Sequence, residues 1–310
     1  MSSVPIKMSS GGRVNVVSGA SQFFLNLFFW IYSIGCLLPV VLVIAISFST
    51  EVDIVRNGYK FWPQHFSLDA YKFIFIDWAS VVRAYAVQLF VIVTGVVVSM
   101  IMVAMYAYPI SRADFRHRNF FALFVVFTML FSGGLIPWYM VYVHFLHLRD
   151  NILALIIPAL APGFWILVVR TFFQNSIPTA IIESAKIDGA GEFKSFTKII
   201  IPLSTPVLAS VALFQTLFYW NDFTLALYFI TTPEKFTMQF MMYKAMLNIQ
   251  FIAQNPTIAA EITRSGGTLN LPNETVRMAM GVMGIGPIIL AYPFFQRYFV
   301  KGLTIGAVKG

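Results

Sequence analysis

At 310 residues, with 58% hydrophobic, 16% aromatic and only 11% charged residues and a mean hydropathy of +0.77, the chain cannot be a soluble domain; a water-facing surface needs about 25% charged residues. The net charge of +8 does not point to nucleic acid, because the basic residues stand at the ends of apolar runs, where they orient a membrane protein. Cys36 is the only cysteine, which excludes an internal disulfide and reads as packing.

Since about 20 apolar residues of helix cross a bilayer core, the pattern predicts an all-α membrane protein with six transmembrane helices, at roughly 23–48, 81–108, 119–146, 151–175, 205–230 and 278–298. The first run is too long for a signal-peptide core and is expected to be retained. This divides the chain into an N-terminal segment (1–22), one membrane domain (23–300) and a short tail (301–310). Pro39, Pro109, Pro137, Pro158 and Pro162 fall in or near the spans as tolerated kinks. Six spans put both termini on one side. Residues 1–22, 109–119, 170–203 and 297–310 hold 12 Lys and Arg, and the alternate segments nine over similar length. The positive-inside rule therefore places both termini in the cytoplasm.

The connection between the fourth and fifth spans, NSIPTAIIESAKIDGAGEFKSFTKIIIPLSTPVLAS from Asn175, is the informative one. Asn175 or Ser176 can cap a helix whose first turn contains Pro178. Gly189 and Gly191 permit its left-handed exit. A second short helix begins near Glu192, with Phe193, Phe196 and Ile200 on one face, and Pro202 and Pro206 lead into the next span. Two readings are open, an elbow lying among lipid headgroups or a knob that enters a groove in a partner protein.

The run Glu183-Ser184-Ala185, three residues, Gly189, nine residues, Ile199-x-Ile201-Pro202 resembles the signature loop (E-A-A-x3-G-x9-I-x-L-P) of binding-protein-dependent ABC importer permeases. Ser184 and Ile201 depart from it by small changes. FSGGLIPWYM at 131–140, RTFFQNSIP at 170–178, YWNDF at 219–223 and YPFFQRYFVKGLTIGAVKG at 292–310 extend the likeness to maltose-type sugar permeases. Within these they resemble most the branch named after lipoprotein-linked permeases of Gram-positive bacteria. The resemblance implies a type I importer permease in a bacterial cytoplasmic membrane that moves a sugar or oligosaccharide by alternating access. Its implied partners are a second permease, two ATPase subunits and an extracellular solute-binding lipoprotein. It makes the loop 176–202 a coupling element seated in the ATPase, with Glu183, Ser184, Ala185, Asp188 and Gly189 as coupling residues. ATP and Mg would be held by the ATPase, and no cofactor by this chain. The missing G-x-x-x-x-G-K-[ST] loop agrees, since the chain has no phosphate cradle of its own.

Asp222 is the carboxylate inside an expected span. Such a charge faces a cavity or a partner helix. Tyr219, Trp220, Asn221 and Asp222 are therefore candidates for a substrate path, where rings stack on sugars and polar groups bond hydroxyls, or for a bond between permease halves. Gly133 and Gly134, with Pro137 and Trp138, break the third span and read equally as cavity lining or as a packing kink. His144, His147 and Asp150 lack the further ligands a metal needs and read as a span end. The polar connection 231–277 is expected to dock the binding protein, with Gly266 and Gly267 as its tip, or else to pack as a lid. A secondary transporter or channel would need inverted repeats and paired intramembrane charges, and neither is visible.

Overall fold

In the computed structural model the described residues are 19–255, 257 and 274–307. Gly266 and Gly267 lie outside them, as do residues 1–18 and 308–310. The fold is helical, with no strand beyond an isolated bridge between Ser49 and Phe66 among the described residues.

Helix α1 (Gly19–Ser47) is apolar on every face. It is exposed as far as Pro39 and buried only at Ala45, Ile46 and Ser47, where it meets the last helix of the chain. Short helices α2 (Glu51–Asn57) and α3 (Asp69–Ile74) follow, the first capped by the Thr50 side chain. Long α4 (Trp78–Ser111) carries a buried stripe that includes Ala84, Gln88, Gly95, Ser99, Val103 and Ala107. Small residues at helical spacing let neighbouring helices approach closely.

α5 (Arg118–Leu130) and α6 (Leu135–Met140, extended by a π turn at Val141–Phe145) meet at 113°. The single span expected over 119–146 is thus two helices. Gly134, at φ +82, supplies the turn. The span expected at 151–175 is likewise broken: two 3-10 turns (Ile152–Leu155 and Ile157–Ala159) precede α7 (Gly163–Ser176) at a 46° bend. Pro158 and Pro162 withhold the N–H groups that a continuous helix would need.

α8 (Thr179–Ile187), α9 (Glu192–Ser195), a π turn (Phe196–Ile200) and α10 (Ile201–Leu203) form an elbow. It joins α11 (Thr205–Asn221) at 77°. α12 (Thr224–Phe229) is separate, because α11 stops at Asn221 instead of running to 230 as the sequence suggested. The connection expected to be a polar loop after 231 contains a 17-residue helix, α13 (Met238–Gln254), capped by Thr237. Its Met238, Phe240 and Ile249 are buried. α14 (Glu274–Ala307) is continuous through Pro287 and Pro293, so the expected tail at 301–310 begins as helix.

Among the described residues, two helical runs, Ser21–Ser47 and Asp69–Ser111, are long and apolar enough to cross a membrane unaided, and three bent pairs pass that test together. α4 is the hub, packed against α7 and α11, while α14 packs against α1 and α11.

Candidate functional site

The elbow is built by local chemistry. α7 runs through Asn175 and Ser176, so neither caps the next helix. Ile177 is extended, and Pro178 itself stands at the N-cap of α8. At the other end, the Gly189 N–H donates to Lys186 O at 3.0 Å and the Ala190 N–H to Ala185 O at 2.9 Å. This is a Schellman closure, which requires the residue after the cap to be left-handed. Gly189 meets that need with φ +76, whereas Gly191 has an ordinary φ of −68.

Apolar burial seats the elbow. Ile177, Ile182 and Ile200 are 5%, 7% and 1% exposed in a core shared with Val103, Val169 and Val211. Each such side chain contributes about 1.5–3 kcal/mol. A polar knot adds orientation. Arg112 grips Asp114 with two guanidinium nitrogens at 2.7 and 3.1 Å. Lys186 bridges Asp114 at 3.0 Å and Glu192 at 2.9 Å, and the Tyr108 hydroxyl donates to Glu192 at 2.7 Å. The Arg112 and Lys186 hydrogen bonds hold the Asp114 carboxyl well below the usual carboxylate range. Exposed ion pairs contribute only about 0–1 kcal/mol each, so the isoleucines dominate the energy and the knot fixes the angle.

Of the expected coupling residues, Ala185 faces inward at 7% exposed, while Glu183, Ser184, Asp188 and Gly189 are on the outer face. Two more residues join them there: Ile187, 87% exposed, which the sequence had not singled out, and Phe193, 76% exposed, which was expected to share the face of Phe196 and Ile200 but is turned away from it. Their signal was positional, since both flank the Asp188–Gly191 turn.

The end of α11 divides the four expected path residues. Tyr219 and Trp220 are buried inside the chain. The Tyr219 hydroxyl donates to Ile156 O at 3.0 Å, and the Trp220 indole N–H donates to Gly284 O at 2.8 Å. Gln88 donates to Tyr219 O at 2.7 Å, and Gln215 to Ser99 Oγ at 3.1 Å. Asn221 and Asp222 instead border an open cavity of about 530 Å³, walled by Trp165, Phe214, Phe218 and Thr224. Trp165 and Phe214 stack with ring centroids 5.1 Å apart. Asp222 also caps α12, accepting from the Leu225 N–H at 3.1 Å. Aromatic faces with an amide and a carboxylate at one edge suit a polyhydroxylated ligand.

Gly133 and Gly134 are exposed at the bend, and Trp138 packs on Tyr142 and Phe229, with centroids 5.0 and 5.2 Å away. None of the three is among the residues lining the Asp222 cavity. At the end of the molecule away from the elbow, Asp150, at φ +51, accepts from the Thr231 and Thr232 N–H groups at 2.9 Å each and pairs with Lys235 at 2.7 Å. These bonds hold its carboxyl far below the usual range. The carboxylate is engaged as a corner clasp. Glu51 similarly caps α14, accepting from the Glu274 and Thr275 N–H groups at 3.0 Å each.

Comparison with known proteins agrees with this architecture. Residues 115–305 match the family described as binding-protein-dependent transport system inner membrane component. The chain is 37% identical to the polygalacturonan/rhamnogalacturonan transport system permease protein YtcP of Bacillus subtilis, covering 91% of this chain and 96% of that one. It is 36% identical to Protein LplC of the same organism, over 88% of this chain and 90% of the other. A crystal structure of a bacterial ABC transporter involved in the import of the acidic polysaccharide alginate contains a chain that superposes with a TM-score of 0.75 at 29% identity, covering 91% and 98% of the two chains. The chain belongs to the binding-protein-dependent transport system inner membrane components, the membrane-embedded permeases of ABC importers.

Proposed function

We propose that this chain is one permease half of an ATP-driven importer of a sugar or oligosaccharide, working by alternating access. The observation that carries the reading is the rigidly seated elbow, whose outer face presents Glu183, Ser184, Ile187, Asp188, Gly189 and Phe193 to a partner. An ATPase subunit is that partner, and ATP and Mg belong to it. A second permease completes the path and an extracellular binding protein delivers the cargo. The chain crosses the membrane six times, with α14 as the sixth crossing and both termini cytoplasmic. The excess of Lys and Arg in the segments on that side supports this orientation. The carbohydrate cargo is supported by similar proteins named for polygalacturonan/rhamnogalacturonan transport and for alginate import, and by the aromatic wall of the Asp222 cavity.

Asp222→Asn tests the path. Asparagine retains an acceptor for the Leu225 N–H, so α12 stays capped and only the charge is removed. Uptake into vesicles should fall while the second permease still co-purifies. Full uptake would remove Asp222 from the path, and loss of the second permease would make it a bridge between the halves.

A further inference from the structure

Beside the outer face of the elbow lies a cavity of about 450 Å³ whose walls come from separate stretches of the chain. The connection between α4 and α5 supplies Arg112 and Asp114, and the first residue of α5 is Arg118. α8 supplies Thr179, Glu183 and Lys186. The walls are tied to one another. Lys186 bridges to Asp114 at 3.0 Å, and Arg170 on α7 donates to Ile110 O, near the end of α4, at 3.1 Å. The connection and the elbow thus form one surface.

The charges lining this cavity are unevenly matched. Arg112 and Lys186 pair with Asp114, and Lys186 also pairs with Glu192. Among the described residues, neither Arg118 nor Glu183 has a charged partner, and the two are not paired with one another. Glu183 is exposed and Arg118 half-buried. A half-buried guanidinium has given up part of its hydration, and what replaces it best is a carboxylate gripped by two nitrogens. Arg118 lacks that group within its own chain.

We propose that this cavity is a second contact with the ATPase subunit, which places an acidic side chain against Arg118. The inference rests on the importer reading and extends its interface from the elbow to the connection between α4 and α5. Continuity with the elbow names the occupant. Glu183 belongs both to the cavity wall and to the outer face that carries Ser184, Ile187 and Asp188, so a partner seated on that face also covers the cavity. A cation and an anion on one wall call for opposite charges at matching places, which a folded protein surface can present.

The test is release of fluorescently labelled ATPase subunit from the assembled transporter in nanodiscs, chased with unlabelled ATPase subunit at low and at high salt. At low salt Arg118→Gln should release it about tenfold faster than the unaltered complex. Arg118→Glu should be faster still, and Arg118→Lys should fall between Gln and the unaltered complex. The differences should shrink at high salt, because screening weakens the same attraction in the unaltered complex. Equal release from the unaltered complex and from Arg118→Glu would overturn the proposal and leave the cavity to lipid headgroups. An acceleration undiminished at high salt would also overturn it, since Arg118 would then act on the shape of the elbow and not on a charge of the partner. An unaltered complex that holds no ATPase subunit would overturn the importer reading itself, and this proposal with it.

Discussion

Replacing Gly189 separates backbone conformation from surface contact. The residue sits at φ +76, and a Cβ built there meets nothing within 4 Å. Within the chain, then, the cost of a side chain is conformational and not steric. A left-handed non-glycine residue costs about 1–2 kcal/mol. Asparagine, which tolerates this region, should cost least, alanine more, and valine most because its branched Cβ is least compatible with positive φ. The Schellman closure orients Ile187 and Asp188, so a destabilisation of 1–2 kcal/mol reduces the correctly closed elbow by a factor of about 5–30. Transport and binding-protein-stimulated ATP hydrolysis, measured on the reconstituted complex, should fall in the order Gly, Asn, Ala, Val. Valine should remain in the membrane at normal levels, since Ile177, Ile182 and Ile200 seat the elbow independently. If the larger asparagine proves worse than alanine, the closing argument is wrong and the partner's surface, pressed against the glycine, sets the limit.

Gly95→Ala should destabilise the solubilised protein by about 1–3 kcal/mol, read as a lower thermal midpoint, because its Cβ would lie 2.6 Å from the Cζ of the buried Tyr219. Tyr219→Phe, which removes the hydroxyl that donates to Ile156 O and leaves that carbonyl only the Ala159 N–H, should cost about 1 kcal/mol in the same assay. The depressed carboxyl of Asp114 contributes stability that is present above its ordinary value of 3.8 and is lost as pH falls towards its folded value. The hydrogen-exchange protection of α8 and α9, taken relative to the intrinsic amide rate at each pH, should therefore be constant through neutral pH and fall only below about pH 4, while Asp114→Asn should lower it already at neutral pH.

The long helices α1 and α4 were legible because long apolar runs have few alternative explanations, and the turn of the elbow was legible because Gly189 dictates its local geometry. The breaks were harder. Asp222 looked like a charge within a span, yet it ends α11 and caps α12, and hydropathy does not register a cap. α13 was hidden by composition, although Thr237 followed by Met238, Met242, Ala245 and Ile249 is a cap and an apolar stripe. The four candidate path residues divide: Asn221 and Asp222 border the cavity and Tyr219 and Trp220 do not. Tyr219 and Trp220 adjoin Asp222 in sequence, but the helical rotation between neighbours turns them into the bundle, while Trp165 and Phe214 reach the cavity from distant positions.

The 77° bend between α10 and α11 makes the elbow a crank. The arm from Glu192 to Leu203 is about 18 Å long at 1.5 Å per residue, so a force at its outer tip exerts a torque about Ser204 and not merely a push along α11. The side-chain bonds of α11 then act as keys on a shaft: Gln215 to α4, Tyr219 to the turn at Ile156, and Trp220 to α14. A shaft keyed to three neighbours cannot spin alone. Work applied at the crank is therefore expected to turn α11 together with α4, α14 and the turn at Ile156, and the Asp222 cavity at the far end of the shaft with them.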